Sequence, residues 1–152
     1  IINWRQFSIQ KDEVTRFIQQ SAVSAVLNRV TGRDPSEILG TLTSNGRVFL
    51  INSNGVVFGA GSRIDVAGFA ASTLNISDSD WISGRLRFAG TGAEGAIKNA
   101  GTIKTADGGF VYLIAPSVEN QAGAVINSPK GEIVIAAGRT GTSAPVAVTV
   151  AR

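Results

Sequence analysis

An internal repeat in the last third of the chain constrains the fold more than any other feature of the sequence. Two successive segments align with one inserted residue, namely 97–115 (IKNAGTIKTADGGFVYLIA) and 118–137 (VENQAGAVINSPKGEIVIAA). Asn99 of the first segment aligns with Asn120 of the second. A short period of this kind, filled with β-rich segments and glycines, is typical of a solenoid in which each repeat buries its apolar face against its neighbours.

The spacing within each repeat predicts the architecture. Val, Ile, Leu and Ala stand at alternate positions, as expected for strands with one face turned inward. We therefore predict an all-β fold, a right-handed parallel β-helix (a single-stranded β-solenoid) with rungs of about 21 residues. The interval from Gly46 to Gly109 is a whole multiple of this period, and we interpret it as three rungs. A β-sandwich is the rival geometry, but it requires no fixed period.

The repeat also predicts a ladder and the organisation of the chain. Asn99 and Asn120 should lie one above the other and hydrogen-bond along the column. Residues 1–45 lack the repeat and are richer in bulky aromatic side chains, so we expect them to cap the open strand edges of the first rung. We predict a single domain over 1–152, with a cap at 1–45, rungs at 46–138 and a tail at 139–152 that leads to further repeats.

The composition excludes several kinds of site. The sequence contains no Cys and no His, which removes disulfides, thiolate metal sites and the commonest general base, and we expect no cofactor. The net charge is +3, without a dense basic cluster or interleaved aromatic residues, so no nucleic-acid binding is expected. The sequence contains no run of about 18 apolar residues, so no transmembrane helix is predicted.

Two weaker patterns offer alternative functions. Asp78 and Asp80 could share one face of a strand and act on a carbohydrate, although a polar Ser-Asp-Ser-Asp loop is the simpler interpretation. Arg85 and Arg87 alternate on a predicted strand and could bind sulfated glycans. We predict a protein that is not an enzyme and retain both alternatives, a glycan-binding module and a β-helix carbohydrate-active enzyme.

Several motifs together resemble the N-terminal secretion domain of two-partner secretion proteins such as filamentous haemagglutinin and the high-molecular-weight adhesins. The motifs are the opening IINWRQFSI, AVLNRVTGRDPSEILGTL at 25–42, SNGRVFLINSNGVVFG at 44–59, FAASTLNIS at 69–77 and the closing Asn-x-Gly-x-Ile, Gly-Gly-x-Val and Ala-Ala-Gly patterns. The resemblance covers essentially the whole chain. It implies a β-helix with an N-terminal cap and extra-helical strands.

The resemblance also implies a route and a partner. Such a domain would reach the periplasm unfolded behind a signal peptide, be recognised by the POTRA domains of an outer-membrane β-barrel transporter, and begin β-helix folding at the cell surface. The protein would then be a secreted or surface-exposed monomer whose downstream region contacts host cells.

Two short motifs would carry the recognition. The secretion motif of the family, Asn-Pro-Asn-Gly, stands here as Asn52, Ser53, Asn54 and Gly55, and the change to Ser53 should loosen the turn slightly. Asn28, Arg29 and Val30 form a secondary motif. Whether these residues are read directly by the transporter or only shape the fold stays open from the sequence. If Asn54 has a positive φ, its replacement by alanine should strain the turn.

Overall fold

Short strands dominate the computed structural model, which describes residues 1–137 and 146–150. In chain order the elements are β1 (Ile2–Trp4), β2 (Val14–Phe17), β3 (Ala25–Val30), β4 (Ser36–Ile38), β5 (Thr41–Ser44), β6 (Arg47–Ile51), β7 (Val56–Phe58), β8 (Arg63–Val66), β9 (Gly68–Ser72), α1 (Asp78–Ile82), β10 (Leu86–Gly90), β11 (Ile97–Asn99), β12 (Thr102–Thr105), β13 (Phe110–Ala115), β14 (Val118–Asn120), β15 (Val125–Asn127), β16 (Glu132–Ala137) and β17 (Val146–Val150).

Three parallel sheets run the length of the domain. The first contains β1-β3-β6-β9-β13-β16, the second β4-β7-β11-β14 and the third β2-β5-β8-β12-β15. Each turn of the chain adds one strand to the second, third and first sheets in that order, so the strands stack as rungs. The predicted all-β parallel β-helix is confirmed.

The rung length varies slightly around the predicted period. Ser36 pairs with Val56 in the second sheet, and Ala25 pairs with Arg47 in the first, so one interval is a little shorter than the period and the other a little longer. The interpretation of the interval between Gly46 and Gly109 as three rungs is wrong. Gly46 precedes β6 and Gly109 precedes β13, and only β9 lies between these two strands in the first sheet. An excursion between β9 and β11 takes up the rest of the interval.

Stacked strands begin earlier than the predicted boundary at residue 46. Strands β3, β4 and β5 already pair in parallel with β6, β7 and β8. The side chains of these strands differ in identity from those at the matching positions of later rungs. A search for sequence repeats therefore does not detect this rung. The aromatic side chains of this end do pack on the core: the Trp4 and Phe7 rings meet edge to face at 5.2 Å, and Phe7 stacks on Phe17 at 6.3 Å.

Two apolar cores lie on opposite faces of the first sheet. The inner core fills the solenoid with residues such as Leu50, Ile64 and Leu113. The outer core contains Phe49, Tyr112 and other side chains that point away from the solenoid axis. Strands β6, β9 and β13 are therefore buried on both faces, whereas β8 alternates between exposed and buried residues.

The extra-helical excursion at residues 73–96 covers the outer core. It contains α1 and β10, and β10 pairs antiparallel with β17, whose Val148 and Val150 pack against the same core. The β17 strand lies in the segment predicted as a tail, residues 139–152, of which 139–145 and 151–152 fall outside the described part, as does residue 138 at the end of the predicted rungs. Within the described residues, no helix has the length and apolar character needed to cross a membrane.

Candidate functional site

The two predicted motifs meet at one corner of the solenoid, where the first sheet passes into the second. Asn28 and Arg29 lie opposite Leu50 and Ile51 in the parallel pair of β3 with β6. The Asn52–Gly55 turn follows β6 directly. One rung earlier, the turn at residues 31–35 occupies the same corner, so the Asn52–Gly55 turn stacks on it.

The Asn52 side chain holds these two turns together. It is completely buried, and its Nδ2 donates to the Asp34 carbonyl and to the Ser36 Oγ, each at 3.0 Å. Its Oδ1 accepts from the Asn54 backbone N–H at 3.0 Å. Its own backbone N–H donates to the Ser72 carbonyl on the following rung at 3.0 Å. Every polar group of this side chain is thus satisfied within the folded domain.

Asn54 adds a second link between the turns. Its Nδ2 donates to the Gly32 carbonyl at 2.8 Å and to the Asn52 Oδ1 at 2.9 Å. Within the described residues, positive φ outside glycine occurs only at Asp12 and Lys130, so Asn54 does not meet the condition set for backbone strain. The left-handed residue of the turn is Gly55, at φ 126°, which favours glycine. An Asn54→Ala change acts through lost hydrogen bonds.

Asn28 has a comparable role on the preceding strand. It is completely buried, its Oδ1 accepts from the Trp4 indole Nε1 at 3.0 Å, and its Nδ2 donates to the Phe49 carbonyl at 3.2 Å. The amide therefore ties β1 to β3 and β6. Val30, at the end of the same strand, is buried in the inner core.

Arg29 points the other way and fastens the excursion to the solenoid. Its guanidinium donates to the Asn75 Oδ1 at 3.1 Å and to the Ile76 carbonyl at 2.5 Å, and it forms an ion pair with Asp78 at 2.6 Å. Two elements that are far apart in the sequence are joined here. The secondary motif thus anchors the extra-helical segment.

The end of the excursion closes over the Asn52–Gly55 turn. The Gly95 N–H donates to the Ser53 carbonyl at 2.9 Å, and the Val56 N–H donates to the Ala96 carbonyl at 3.1 Å. Contact is so close that a Cβ on Gly95 would stand 2.3 Å from the Asn54 carbonyl oxygen. The loop at residues 91–96, named here the covering loop, therefore seals the side of the turn that faces the later rungs.

A carboxylate fixes the shape of the covering loop. Glu94 accepts from the Thr91 N–H at 2.5 Å, the Gly92 N–H at 2.9 Å and the Thr91 Oγ1 at 3.2 Å. Burial alone would raise the pKa of the Glu94 carboxyl, but the backbone N–H donors outweigh it and hold the pKa below its ordinary value. The loop is thus built for an ionised glutamate.

Asn99 and Asn120 lie apart from this corner, at the ends of β11 and β14. They are register partners, and the Asn99 Nδ2 donates to the Asn120 Oδ1 at 3.2 Å. The Asn99 Oδ1 accepts from the Gly101 N–H at 3.0 Å. On the preceding rung Asn99 faces Phe58, so the ladder spans two rungs and does not continue toward the N-terminus.

The two carboxylates of the enzymatic alternative are each engaged by an arginine. Asp78 and Asp80 lie in the short helix α1, capped by Ser77, and not on a strand or in a loop as expected. Asp78 pairs with Arg29, and Asp80 lies 3.3 Å from the Arg85 Nε. The two carboxylates therefore serve different arginines and do not converge on one ligand.

Arg85 and Arg87 also differ from the expected pair. Arg85 precedes β10, whereas Arg87 lies within it opposite Thr149. Both side chains are exposed, and Arg85 is partly neutralised by Asp80. Within the described residues, no cluster of His, Cys, Asp and Glu could hold a metal ion.

Ser53 occupies the second position of a turn closed by the Gly55 N–H on the Asn52 carbonyl at 3.2 Å. Proline is favoured at this position. Ser53 is exposed, and within residues 1–137 and 146–150 its N–H donates no hydrogen bond. We expect Ser53→Pro to raise the free energy of unfolding by about 0.5–1 kcal/mol, mainly by restricting the unfolded chain. Urea denaturation measures this; a loss of stability would show that the turn cannot accept the proline ring.

Glu94→Gln should weaken the covering loop in a pH-dependent way. Because the folded-state pKa of Glu94 is lowered, its contribution is present above the unfolded value of about 4.5 and disappears as the pH falls through the folded pKa. We expect the variant to lose about 0.5–1 kcal/mol at pH 7, a figure reduced for partial solvent exposure. Denaturation from pH 7 to pH 3 should show the difference from the unmodified chain shrinking below pH 4.5. A constant difference would contradict this role.

Sequence reasoning identified both motifs but missed their partners. Ser36, Ser72 and Gly95 complete the environment of the turn, and they come from two other rungs and the excursion. No local signal marks Gly95, because only the return of the excursion brings it beside Asn54. Asn75 and Asp78 were visible as polar residues, but their pairing with Arg29 depends on where the excursion docks.

The chain matches the family model described as the TPS secretion domain over residues 1–149. It is similar to a heme/hemopexin-binding protein of Haemophilus influenzae (strain Rd), with 33% identity over 145 residues that cover 90% of this chain and 16% of that protein. A second heme/hemopexin-binding protein of Haemophilus influenzae is 40% identical over 75 residues, covering 49% of this chain and 8% of that protein. This chain thus spans less than a fifth of either relative.

A solved structure has the same architecture. The crystal structure of the HMW1 secretion domain from Haemophilus influenzae superposes with a TM-score of 0.76 and 38% identity. The match covers 83% of this chain and 36% of that one.

Proposed function

We propose that this chain, which belongs to the TPS secretion domain family of exported proteins, is recognised in the periplasm by the POTRA domains of an outer-membrane β-barrel transporter. The domain then starts β-helix folding at the cell surface. The corner formed by Asn28–Val30, the turn at 31–35 and Asn52–Gly55 carries the proposal. Both motifs implied by the family lie there and stabilise the first rungs together.

Export through a pore favours a chain that no cross-link closes. The sequence has no Cys, so no disulfide can lock a rung in the oxidising periplasm. The rungs themselves form by parallel pairing between strands one period apart, and such a stack grows from one end by adding neighbours. An N-terminal end packed with Trp4, Phe7 and Phe17 supplies a starting point for that growth.

The other end of the stack supports a continuation. Ile133 and Ile135 are 46% and 45% exposed, although their register partners Val111 and Leu113 on the preceding rung are completely buried. They stand at inward-facing positions that another rung would cover. We propose that chain beyond β17 adds rungs here in the full protein, whose effector activity resides in that downstream region.

We also propose that the domain has no enzymatic activity. The paired carboxylates that the sequence offered for catalysis, Asp78 and Asp80, are each engaged by a separate arginine.

The relatives are named for heme/hemopexin binding, and direct ligation of heme is not expected in this domain. The sequence has no His, Cys or Met, and its one tyrosine, Tyr112, is completely buried, so it offers no accessible side chain of the types that usually ligate heme iron. Titration of the purified domain with hemin should give no saturable shift of the Soret band. A stoichiometric shift would contradict the assignment of heme binding to another region.

Secretion with and without the transporter tests the proposed function. The domain would be expressed behind a signal peptide in cells that carry or lack the β-barrel partner encoded beside it. Partner-dependent appearance in the medium is the expected result. Retention in the periplasm despite a partner that exports another TPS domain would refute the proposal, as would equal release without the partner.

A further inference from the structure

A cleft lies between the outer face of the first sheet and the excursion that covers it. Strands β3, β6 and β13 supply one side of the cleft, and α1, β10 and the residues between them supply the other. The cleft has a volume of 220 Å³ and is named here the aromatic cleft. An apolar cavity of about 150 Å³ is large enough to hold benzene, so this cleft has room for one aromatic ring with a short substituent.

Three aromatic rings shape the aromatic cleft. Phe49 and Phe110 are buried in it with their ring centroids 5.7 Å apart, and the half-buried Trp81 meets the Phe49 ring edge to face at 4.8 Å. Gly68 makes room for this arrangement, since a Cβ there would stand 2.7 Å from the Phe110 ring. An aromatic ligand would add edge-to-face or offset contacts of the same kind.

Arg47 supplies the charge of the aromatic cleft. Its guanidinium lies over the Phe110 ring, 5.7 Å from the centroid, and the side chain is half-buried. No carboxylate of residues 1–137 or 146–150 forms an ion pair with it. Two acidic side chains of neighbouring elements, Asp80 and Glu132, have other partners. The cleft therefore presents a positive charge that the described part of the chain does not neutralise.

We infer that the aromatic cleft binds a small aryl carboxylate, with its ring among the three aromatic side chains and its carboxylate on Arg47. A guanidinium that stacks on a ring keeps its N–H groups in the plane of the fork, where a carboxylate accepts two of them. An apolar cleft with one convergent charged group is the usual composition of a small-molecule site. Because this ligand would touch both the solenoid and the excursion, it should stabilise the folded domain.

The two tryptophans of the chain locate binding in solution. Trp81 lines the cleft, whereas Trp4 lies on β1, where its indole N–H donates to Asn28. In nitrogen–proton correlation spectra, assigned with a Trp4→Phe variant, phenylacetate should shift the Trp81 indole signal saturably and leave the Trp4 signal in place. It should also raise the midpoint of thermal unfolding.

Two neutral or cationic analogues test the role of the charge. Benzyl alcohol lacks the carboxylate and phenethylammonium carries the opposite charge, so both should bind at least about tenfold more weakly than phenylacetate. Arg47→Gln should weaken phenylacetate binding by a similar factor. Arg87→Gln is the matched control, because Arg87 is exposed on β10 and does not line the cleft, and it should leave binding unchanged.

A blocking variant tests the position of the ligand without removing the arginine. Ala25 is exposed at the rim of the cleft, and Ala25→Phe should fill the space and abolish the shift of the Trp81 signal. Ala122→Phe, at an exposed position outside the cleft, should leave that shift intact. Circular dichroism and an unchanged Trp4 signal verify that each variant is folded.

Several outcomes would overturn the inference. They are the absence of a saturable Trp81 shift, equal shifts of both tryptophans, and equal binding of benzyl alcohol and phenylacetate. Phenylacetate binding that survives both Arg47→Gln and Ala25→Phe would overturn it as well. None of these outcomes bears on partner-dependent secretion, so the proposed function is tested separately.

Discussion

Replacing Asn52 by alanine is expected to lower the free energy of unfolding by about 3 kcal/mol. The amide is completely buried and bridges the Asp34 carbonyl, the Ser36 Oγ and the Asn54 N–H. Alanine would leave the buried Ser36 hydroxyl without this donor, and a buried polar group that loses its partner costs more than the hydrogen bond contributed. Urea denaturation followed by circular dichroism measures the change.

Two comparisons separate this effect from a general loss of asparagine. Asn127→Ala removes an exposed amide and should change the free energy of unfolding by less than about 0.5 kcal/mol. Ile64→Ala in the inner core should destabilise by an amount similar to Asn52→Ala without touching the turn. If Asn52→Ala is no more destabilising than Asn127→Ala, the bridging role is wrong.

The same pair of variants addresses the two interpretations of the motif. If Asn52→Ala and Ile64→Ala reduce secretion equally, the loss follows stability, and Asn52 acts through the fold. If Asn52→Ala reduces secretion much more than Ile64→Ala, the transporter also reads the side chain. The buried position of Asn52 means that such reading must take place before folding.

The fold was predictable because one pair of rungs repeats its pattern of asparagine, glycine and apolar residues. Asn99 and Asn120 fixed the period, and the register of β11 with β14 matches it. The earlier rungs share only hydrophobic character: Leu42, Ile64 and Ile103 stack in one column without a recognisable repeat around them. Each inward position of a solenoid requires an apolar side chain of suitable volume, and several residue types satisfy that requirement.

The excursion could not be placed from the sequence, for a physical reason. Strands β6, β9 and β13 read as continuous apolar runs, which indicates burial on both faces but not by which segment. The cover is supplied by α1, β10 and β17, whose contacts with the outer core depend on tertiary docking. Arg29 shows the consequence, because a residue read as part of a motif is also the anchor of this segment.

The sequence predicted the turn at Asn52–Gly55 but not the residues that enclose it. Asn54-Gly55 is a strong turn signal at any place in a sequence, and the positive φ of Gly55 agrees with it. The contacts of Asn52 with Asp34, Ser36 and Ser72 arise from the stacking of three rungs. Such contacts follow from register, which a local motif does not specify.

Gly95→Ala should destabilise the domain by about 3 kcal/mol, because the added methyl group would meet main-chain atoms. The new Cβ would stand 2.3 Å from the Asn54 carbonyl oxygen and 2.8 Å from the Gly55 nitrogen, so either the turn or the covering loop must move.

Gly108→Ala is the control: its φ of 76° disfavours alanine, but open space surrounds it, and a loss of about 1 kcal/mol is expected. Hydrogen exchange adds a local readout, since the Val56 N–H, bonded to the Ala96 carbonyl, should exchange faster in Gly95→Ala than in Gly108→Ala. Equal stability and equal exchange in the two variants would show that the covering loop does not hold the turn closed.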